Sequence, residues 1–325
     1  MVLKSTALAH TMQGLLKYHG LKDWDLRLPY HDSISVNLES LWTKTSVEFG
    51  NFENDEIFID GKQYEGNVKD RALGIINVIR DLSKIEENVK ISSSNSIKLG
   101  EVKGLGFSSS AGAALAAAGF KAAKLDEEYG WDLKKISTIA RRLSGSASRS
   151  ITGFYSRWYA GTDDESSYSL RFADNNNLDI SIIAIPFQST ITTEEAHKEV
   201  ETSHFFEARL LSANKRIDEL ENAIINGDFN KFGKLVELDS LELHSVTMTG
   251  SSRHVLFNEN TIRIIQYVKQ KQRENIPVYF SMQTGPSIFV NTLPEHVDNL
   301  FSDLSNFGFK CIKSKVGGPA TILTD

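Results

Sequence analysis

Three clusters of cations and hydroxyls carry the residues in this chain that could do chemistry. The first is Lys17-Tyr18 with Lys22. The second is Lys103-Gly104-Leu105-Gly106-Phe107-Ser108-Ser109-Ser110-Ala111-Gly112, and the third is Ser144-Gly145-Ser146-Ala147-Ser148-Arg149. Arginine suits bidentate recognition of carboxylate or phosphate, lysine supplies a point charge, and serine hydroxyls add neutral donors. The second cluster opens an alanine-rich run to Phe120. A glycine loop feeding a helix N-terminus collects unpaired N–H groups and the positive end of the helix dipole, which together form an anion site. Taken singly, each cluster is also explained by surface charge, serine caps or a tight turn into a buried small-residue helix. Three in one chain favour a phosphorylated small molecule as substrate.

Other chemistries lack their signatures. There is no G-x4-G-K-[ST], G-x-G-x-x-G, H-E-x-x-H or G-x-S-x-G pattern. The histidines at 10, 19, 31, 197, 204, 244, 254 and 296 show no metal-ligand spacing, and no metal is expected. His197 and His204 read as members of a solvated acidic helix. Cys311 is the only cysteine, which excludes an internal disulfide and a cysteine metal cluster. The formal net charge of -6 argues against a general nucleic-acid binder. No signal-peptide layout opens the sequence and the alanine-rich run is too short to span a bilayer, so a cytoplasmic protein is expected, with no membrane or nucleic-acid partner.

The elements that must position these clusters follow from periodicity. Ser33 to Leu38 alternates as a strand, and strands are also expected at 44–49 and 56–59. Asp60-Gly61 marks a hairpin turn. Residues 69–88 carry apolar groups at helical spacing, with Arg71 and Arg80 alongside. Further helices are expected at 132–143, 193–225, 228–247, 258–274 and 294–307. Strands are expected at 153–160, 168–173, 180–185, 278–281, 288–290 and 309–313. Strands and helices mix without the regular alternation of a doubly wound sheet, so the fold class is α+β with two domains. The polar run Asp174-Asn175-Asn176-Asn177 gives the boundary: 1–177 and 178–325.

Lys17-Tyr18-His19-Gly20, Leu28-Pro29-Tyr30-His31-Asp32-Ser33-Ile34-Ser35-Val36, Asn54 to Gly61 and the glycine–serine loop resemble diphosphomevalonate decarboxylases. These belong to the galactokinase, homoserine kinase and mevalonate kinase superfamily of small-molecule kinases. Ser144 to Ser150 followed by Gly153 is similar to that family's S-G-S-A-C-R-S segment. Asp239-Ser240-Leu241-Glu242-Leu243-His244 and Thr284-Gly285-Pro286-Ser287 resemble its later motifs, so the likeness spans nearly the whole chain in order. The resemblance implies an N-terminal ribosomal-protein-S5-like domain, a C-terminal ferredoxin-like domain and an active site in the cleft between them. It further implies a homodimer. By position, Arg149 holds the substrate carboxylate, Lys17 lies near the 3-oxygen, and Tyr18, Lys22, Arg71, Ser144 and Ser146 surround the phosphate on the 5-oxygen.

Departures from the family pattern redirect the expectation. Its D-A-G-P-N segment, whose aspartate is the base at the 3-hydroxyl, reads Gln283-Thr284-Gly285-Pro286-Ser287 here. A neutral amide cannot take the proton of a tertiary alcohol. Val102 replaces the proline that opens the family's ATP loop, His31 replaces an asparagine, and Lys22 lies one place beyond the lysine of K-Y-W-G-K. A substrate already phosphorylated at the 3-oxygen needs neither ATP nor a base, and an aspartate there would repel it by roughly 1–4 kcal/mol at about 4 Å. The pattern therefore looks like the mevalonate 3,5-bisphosphate decarboxylases of the Thermoplasma-type archaeal pathway, which make isopentenyl phosphate without a cofactor. Lys17, Arg149 and Gln283 are the expected catalytic residues, with Ser108, Ser109 and Ser110 on the phosphate side. The alternatives are an ATP- and Mg2+-dependent diphosphomevalonate decarboxylase and a mevalonate 3-kinase. A degenerate family member serving as a binding protein would have eroded the anion-holding residues.

Overall fold

The structure is a computed structural model, and it describes residues 3–97 and 104–324. In the first half the chain runs β1 (Leu3–Leu16), β2 (Leu21–Asp23), β3 (Leu28–Pro29), β4 (Ser33–Gly50), β5 (Glu56–Ile59) and β6 (Lys62–Gln63). It continues through α1 (Asn67–Ser83), β7 (Asn88–Asn95), α2 (Phe107–Ala122), α3 (Leu125–Tyr129), α4 (Leu133–Arg141), α5 (Ala147–Thr152), β8 (Tyr155–Trp158) and β9 (Ser169–Ala173). The second half holds β10 (Ser181–Ile185), α6 (Thr193–Glu199), α7 (Phe206–Ile225), α8 (Phe229–Thr249) and α9 (Glu259–Arg273). It ends with β11 (Val278–Met282), β12 (Ile288–Thr292), α10 (Val297–Asn306), β13 (Ile312–Lys315) and β14 (Thr321–Leu323).

Two large sheets organise these elements, and β2 pairs with β3 in a separate two-stranded ribbon. One has the order β14-β1-β4-β7-β5-β6 with β8 and β9 branching from β4, and the other is β11-β12-β10-β13. β4 can serve two sets of neighbours because it is 18 residues long: Thr43 to Gly50 pair with β7, while Ser33 to Val36 pair with β8. β9 of the first sheet ends at Ala173 and β10 of the second begins at Ser181. The last strand, however, returns to the first sheet, with Thr6 opposite Leu323. The Asp60-Gly61 hairpin is present, both residues having positive φ (49° and 80°) and Ile59 pairing with Lys62, as a type I′ turn requires.

Alanine and glycine let α2 be buried on all sides. Ala113, Ala114, Ala116, Ala117, Ala118 and Phe120 are fully inaccessible. A methyl group on Gly119 would come within 2.6 Å of Ile79 Cδ1, and one on Gly112 within 2.8 Å of Ala147 Cβ. These two absences bring α1 and α5 against α2, and with α5 comes Arg149.

The expected helix over 193–225 is two helices. A 3-10 turn at Val200–Thr202 and extended backbone at Ser203 separate α6 from α7. The Ser203 and Thr249 hydroxyls bond at 2.6 Å across this break. No helix among the described residues is long and apolar enough to cross a membrane.

Candidate active site

A cavity of about 440 Å3 is lined by the end of β1, the start of α2, the Ser144–Arg149 segment, the 189–197 loop and helix, and the turn after β11. Lys17, Tyr18, Ser108, Ser144, Ser146, Arg149 and Gln283 all line it. One space thus gathers residues from all three sequence clusters and from the Gln283 turn.

Lys17 follows a register shift in the β1–β4 pairing between Gly14 and Leu16. Bulges of this kind re-aim side chains and recur beside active sites. The Lys17 ammonium donates to Asp239 Oδ2 at 3.0 Å and Ser240 Oγ at 3.1 Å, and its backbone N–H donates to the same carboxylate oxygen at 3.1 Å. Asp239 also receives Arg209, which in turn donates to the Lys17 carbonyl at 3.0 Å. Burial alone would raise the Asp239 pKa, but Arg209, Lys17 and Arg216 bring it down to about 2. Burial lowers Lys17, and Asp239 opposes that shift. An ammonium has three donors, so one remains after Asp239 and Ser240.

Gln283 lies next to Lys17. A methyl group on Gly14 would stand 2.8 Å from Lys17 Cγ and 3.1 Å from Gln283 Oε1, so glycine alone leaves room for both. The Gln283 side-chain amide donates to the Gly14 carbonyl at 3.5 Å, and the Gln283 backbone carbonyl meets His244 Nε2 at 2.9 Å.

Arg149 is held differently. It is 1% exposed, yet no carboxylate lies within ion-pair distance among the described residues. Its guanidinium donates to Ser33 Oγ and to the Met12 sulfur at 3.8 Å, and it lies 5.5 Å from the ring centres of Tyr18 and Trp158. Its Nε has no partner. Burial brings its pKa down to about 10, which still leaves it charged at neutral pH. An unpaired buried guanidinium is costly unless an anion joins it. Close by, the Ser144 and Ser146 hydroxyls bond to each other at 2.8 Å.

The remaining expected residues divide. Arg71 lies in an adjoining chamber shared with Tyr18, Ser108 and Ser144. Lys22 is outside both spaces, its ammonium donating to the Gly161 carbonyl at 2.6 Å. Ser109 and Ser110 are buried and turned inward. Ser109 Oγ donates to Gly106 O at 2.7 Å and accepts from Met12 N–H, while Ser110 Oγ bonds Thr43 Oγ1 at 2.7 Å. Only Ser108 of the three faces the cavity. Val102 and Lys103 lie outside the described residues.

Sequence reasoning missed His197. It is 5% exposed, not part of a solvated face, and stacks on Tyr18 with ring centres 4.7 Å apart. Its Nδ1 accepts the Gly20 N–H at 3.1 Å, and burial, then Arg27 and Arg149, lower its pKa to about 3. Gly20 has φ 86°, and a methyl there would strike Val200 at 2.8 Å, so this contact needs glycine. Glu195 was missed as well. The Thr192-x-x-Glu195 spacing was the available signal, and it forms a capping box in which Glu195 accepts from Thr192 N–H and Oγ1 at 2.6 and 2.8 Å.

Comparison with known proteins gives the family. Residues 9–169 match the model of the diphosphomevalonate decarboxylase-like N-terminal domain, and residues 184–316 match the mevalonate 5-diphosphate decarboxylase C-terminal domain. The phosphomevalonate decarboxylase of Haloferax volcanii is 38% identical over 99% of this chain and 98% of its own length. A diphosphomevalonate decarboxylase of Debaryomyces hansenii is 31% identical over 89% and 79% respectively. The solved mevalonate diphosphate decarboxylase of Staphylococcus aureus superposes with a TM-score of 0.92 at 26% identity, covering 100% of this chain and 99% of that one. The Enterococcus faecalis enzyme gives 0.91 at 27%, covering both chains fully. With both domains matched in order and relatives aligned along nearly all of its length, this chain belongs to the diphosphomevalonate decarboxylase family of carboxy-lyases.

Proposed function

We propose that the enzyme decarboxylates mevalonate 3,5-bisphosphate to isopentenyl phosphate without ATP. The carbon–carbon bond to the carboxylate breaks, its electron pair forms the new double bond, and the 3-phosphate leaves with the electrons of its carbon–oxygen bond. No proton has to be removed. The observation that carries this reading is a cavity with a buried, unpaired guanidinium and no free carboxylate. Among the described residues Glu195 is the one carboxylate lining it, and that group is bound within its capping box. Arg149 would hold the departing carboxylate and the free donor of Lys17 the leaving phosphate, while Gln283 adds a neutral amide where a carboxylate would repel the phosphate.

The test is to supply mevalonate 3,5-bisphosphate without nucleotide and measure released phosphate and isopentenyl phosphate. No turnover under those conditions would sink the proposal. One second reading has its own support: ATP-dependent decarboxylation of mevalonate 5-phosphate. The Haloferax volcanii relative is named a phosphomevalonate decarboxylase, and Gly104, Gly106 and Ser108, at the start of α2, line the same cavity. Turnover of mevalonate 5-phosphate only with nucleotide would establish it instead. On either reading the enzyme works in the cytoplasm as a homodimer, and sedimentation equilibrium checks the assembly.

A further inference from the structure

Beside the main cavity lies a chamber of about 540 Å3, continuous with it through Tyr18, Ser108, Ser144 and His197. Two guanidiniums line this chamber, those of Arg71 and Arg27. Arg71 reaches it from α1 and donates from Nη2 to the Leu143 carbonyl at 2.7 Å, while its buried Nε has no partner. Arg27 comes from the turn between β2 and β3, and no carboxylate lies within ion-pair distance of either group among the described residues. Lys198, Glu194 and Glu195 lie around the same chamber.

The turn is built to present Arg27. Its φ is 53°, a left-handed conformation that a side-chain-bearing residue adopts only under constraint. The constraint is visible on both sides. The Leu26 N–H donates to Asp23 Oδ1 at 2.7 Å, and Arg141 Nη1 donates to the Leu26 carbonyl at 2.7 Å. After the turn, Leu28 is buried and pairs across to Asp23. Burial and then the charge of Arg27 hold Arg71 below its ordinary pKa, so the two cations act on one another. Bringing like charges together has a cost that a dianion between them would remove. A phosphate monoester carries about -1.5 to -2 charges at pH 7, which matches two guanidiniums.

We propose that Arg27 is a specificity-determining residue that clamps, together with Arg71, the phosphate at the substrate's 5-end. Arg27 thus fills the place that the family resemblance gave to Lys22, whose ammonium is bound to Gly161 outside the chamber. The inference rests on the proposed reaction for the identity of the substrate, but not for the presence of an anion site.

Two variants test it. Arg27→Gln removes the charge, and Arg27→Gly also relieves the left-handed backbone, so that lost folding and lost binding are told apart. Steady-state kinetics on the phosphorylated mevalonate should show KM raised at least tenfold in both, with kcat within threefold. Arg27→Lys should recover part of the KM. Titration calorimetry with inorganic phosphate should show at least fivefold weaker binding by both variants. Unchanged KM and phosphate affinity in variants of wild-type thermal stability would overturn the assignment, as would a loss confined to kcat. If the wild-type enzyme turns over no phosphorylated mevalonate, the proposed reaction fails, and the phosphate titration decides the role of Arg27 alone.

Discussion

Lys17 and Arg149 line one cavity, yet the protein treats their charges in opposite ways. The Lys17 region is closed electrostatically: Asp239 takes the ammonium, and Arg209 and Arg216 surround the carboxylate in turn. The Arg149 region is left open, with a hydroxyl, a thioether and two aromatic rings around a full positive charge. The first arrangement fixes a donor in position whether or not a ligand is present. The second stores an unmet electrostatic demand that a substrate anion can satisfy. The contrast separates a group held for geometry from one held for affinity, and each can be tested by removing a partner.

The largest effect is expected at Asp239. Asp239→Asn leaves the buried Lys17 without an anion and Arg209 and Arg216 with Glu242 alone, and should destabilise the fold by about 3–5 kcal/mol, read as a lower midpoint in urea unfolding. Arg149→Gln should do the reverse. Transition-state stabilisation should fall by at least ~2 kcal/mol in kcat/KM, while thermal stability stays level or rises because an uncompensated buried charge is gone. A matching loss of stability in Arg149→Gln would erase the distinction between the two regions.

Acid should act next. His31, His197 and His244 are held neutral by burial, at about 4, about 3 and about 4 against an ordinary 6.5. The unfolded chain takes up protons below 6.5 and the folded chain does not, so this stability is complete above 6.5 and is lost as pH falls. Each of these histidines should contribute up to about 1.4 kcal/mol per pH unit in that window. Thermal melts at pH 7 and pH 5 measure the difference, and a flat profile would show the cluster to be solvated. Gln283→Asp should slow turnover of the 3,5-bisphosphate, by up to the roughly 1–4 kcal/mol of like-charge repulsion at about 4 Å. A faster variant would count against the base-free reaction. The smallest change is expected for Lys22→Ala, whose exposed contact with a carbonyl should move kcat/KM by less than about 0.5 kcal/mol.

Much of this site could be read from residue order. Lys17, the Ser144–Arg149 run and Ser108 were legible because each is short in sequence and chemically distinctive, whereas Gln283 stood out only against the family's D-A-G-P-N pattern. Local periodicity likewise located β4, β5, β8 to β13 and the Asp60-Gly61 hairpin, but not β1 or β7. What stayed hidden depended on tertiary contact. The 222-residue separation between Lys17 and Asp239 leaves no local trace of their ion pair. His197 looked solvated because acidic neighbours dominate its segment, and only the break at 200–203 turns α6 into the cavity. Ser109 and Ser110 share a residue type with Ser108, but helical rotation sends their hydroxyls into the sheet. Lys22 and Arg27 differ by five positions around a hairpin whose backbone twist no spacing rule records.

The return of β14 to β1 bears on how the enzyme comes to exist. β1 runs directly into Lys17, and one of its flanks is covered by Thr321–Leu323. During synthesis that flank stays an open strand edge until some 300 further residues have left the ribosome, a pairing of very high sequence separation. Open edges template wrong partners. A chain ending at residue 318 should therefore aggregate during refolding more readily than the full chain, as light scattering would report, and equal scattering would remove the point. Lys17 would then be made some 300 residues before the strand that secures its own is available.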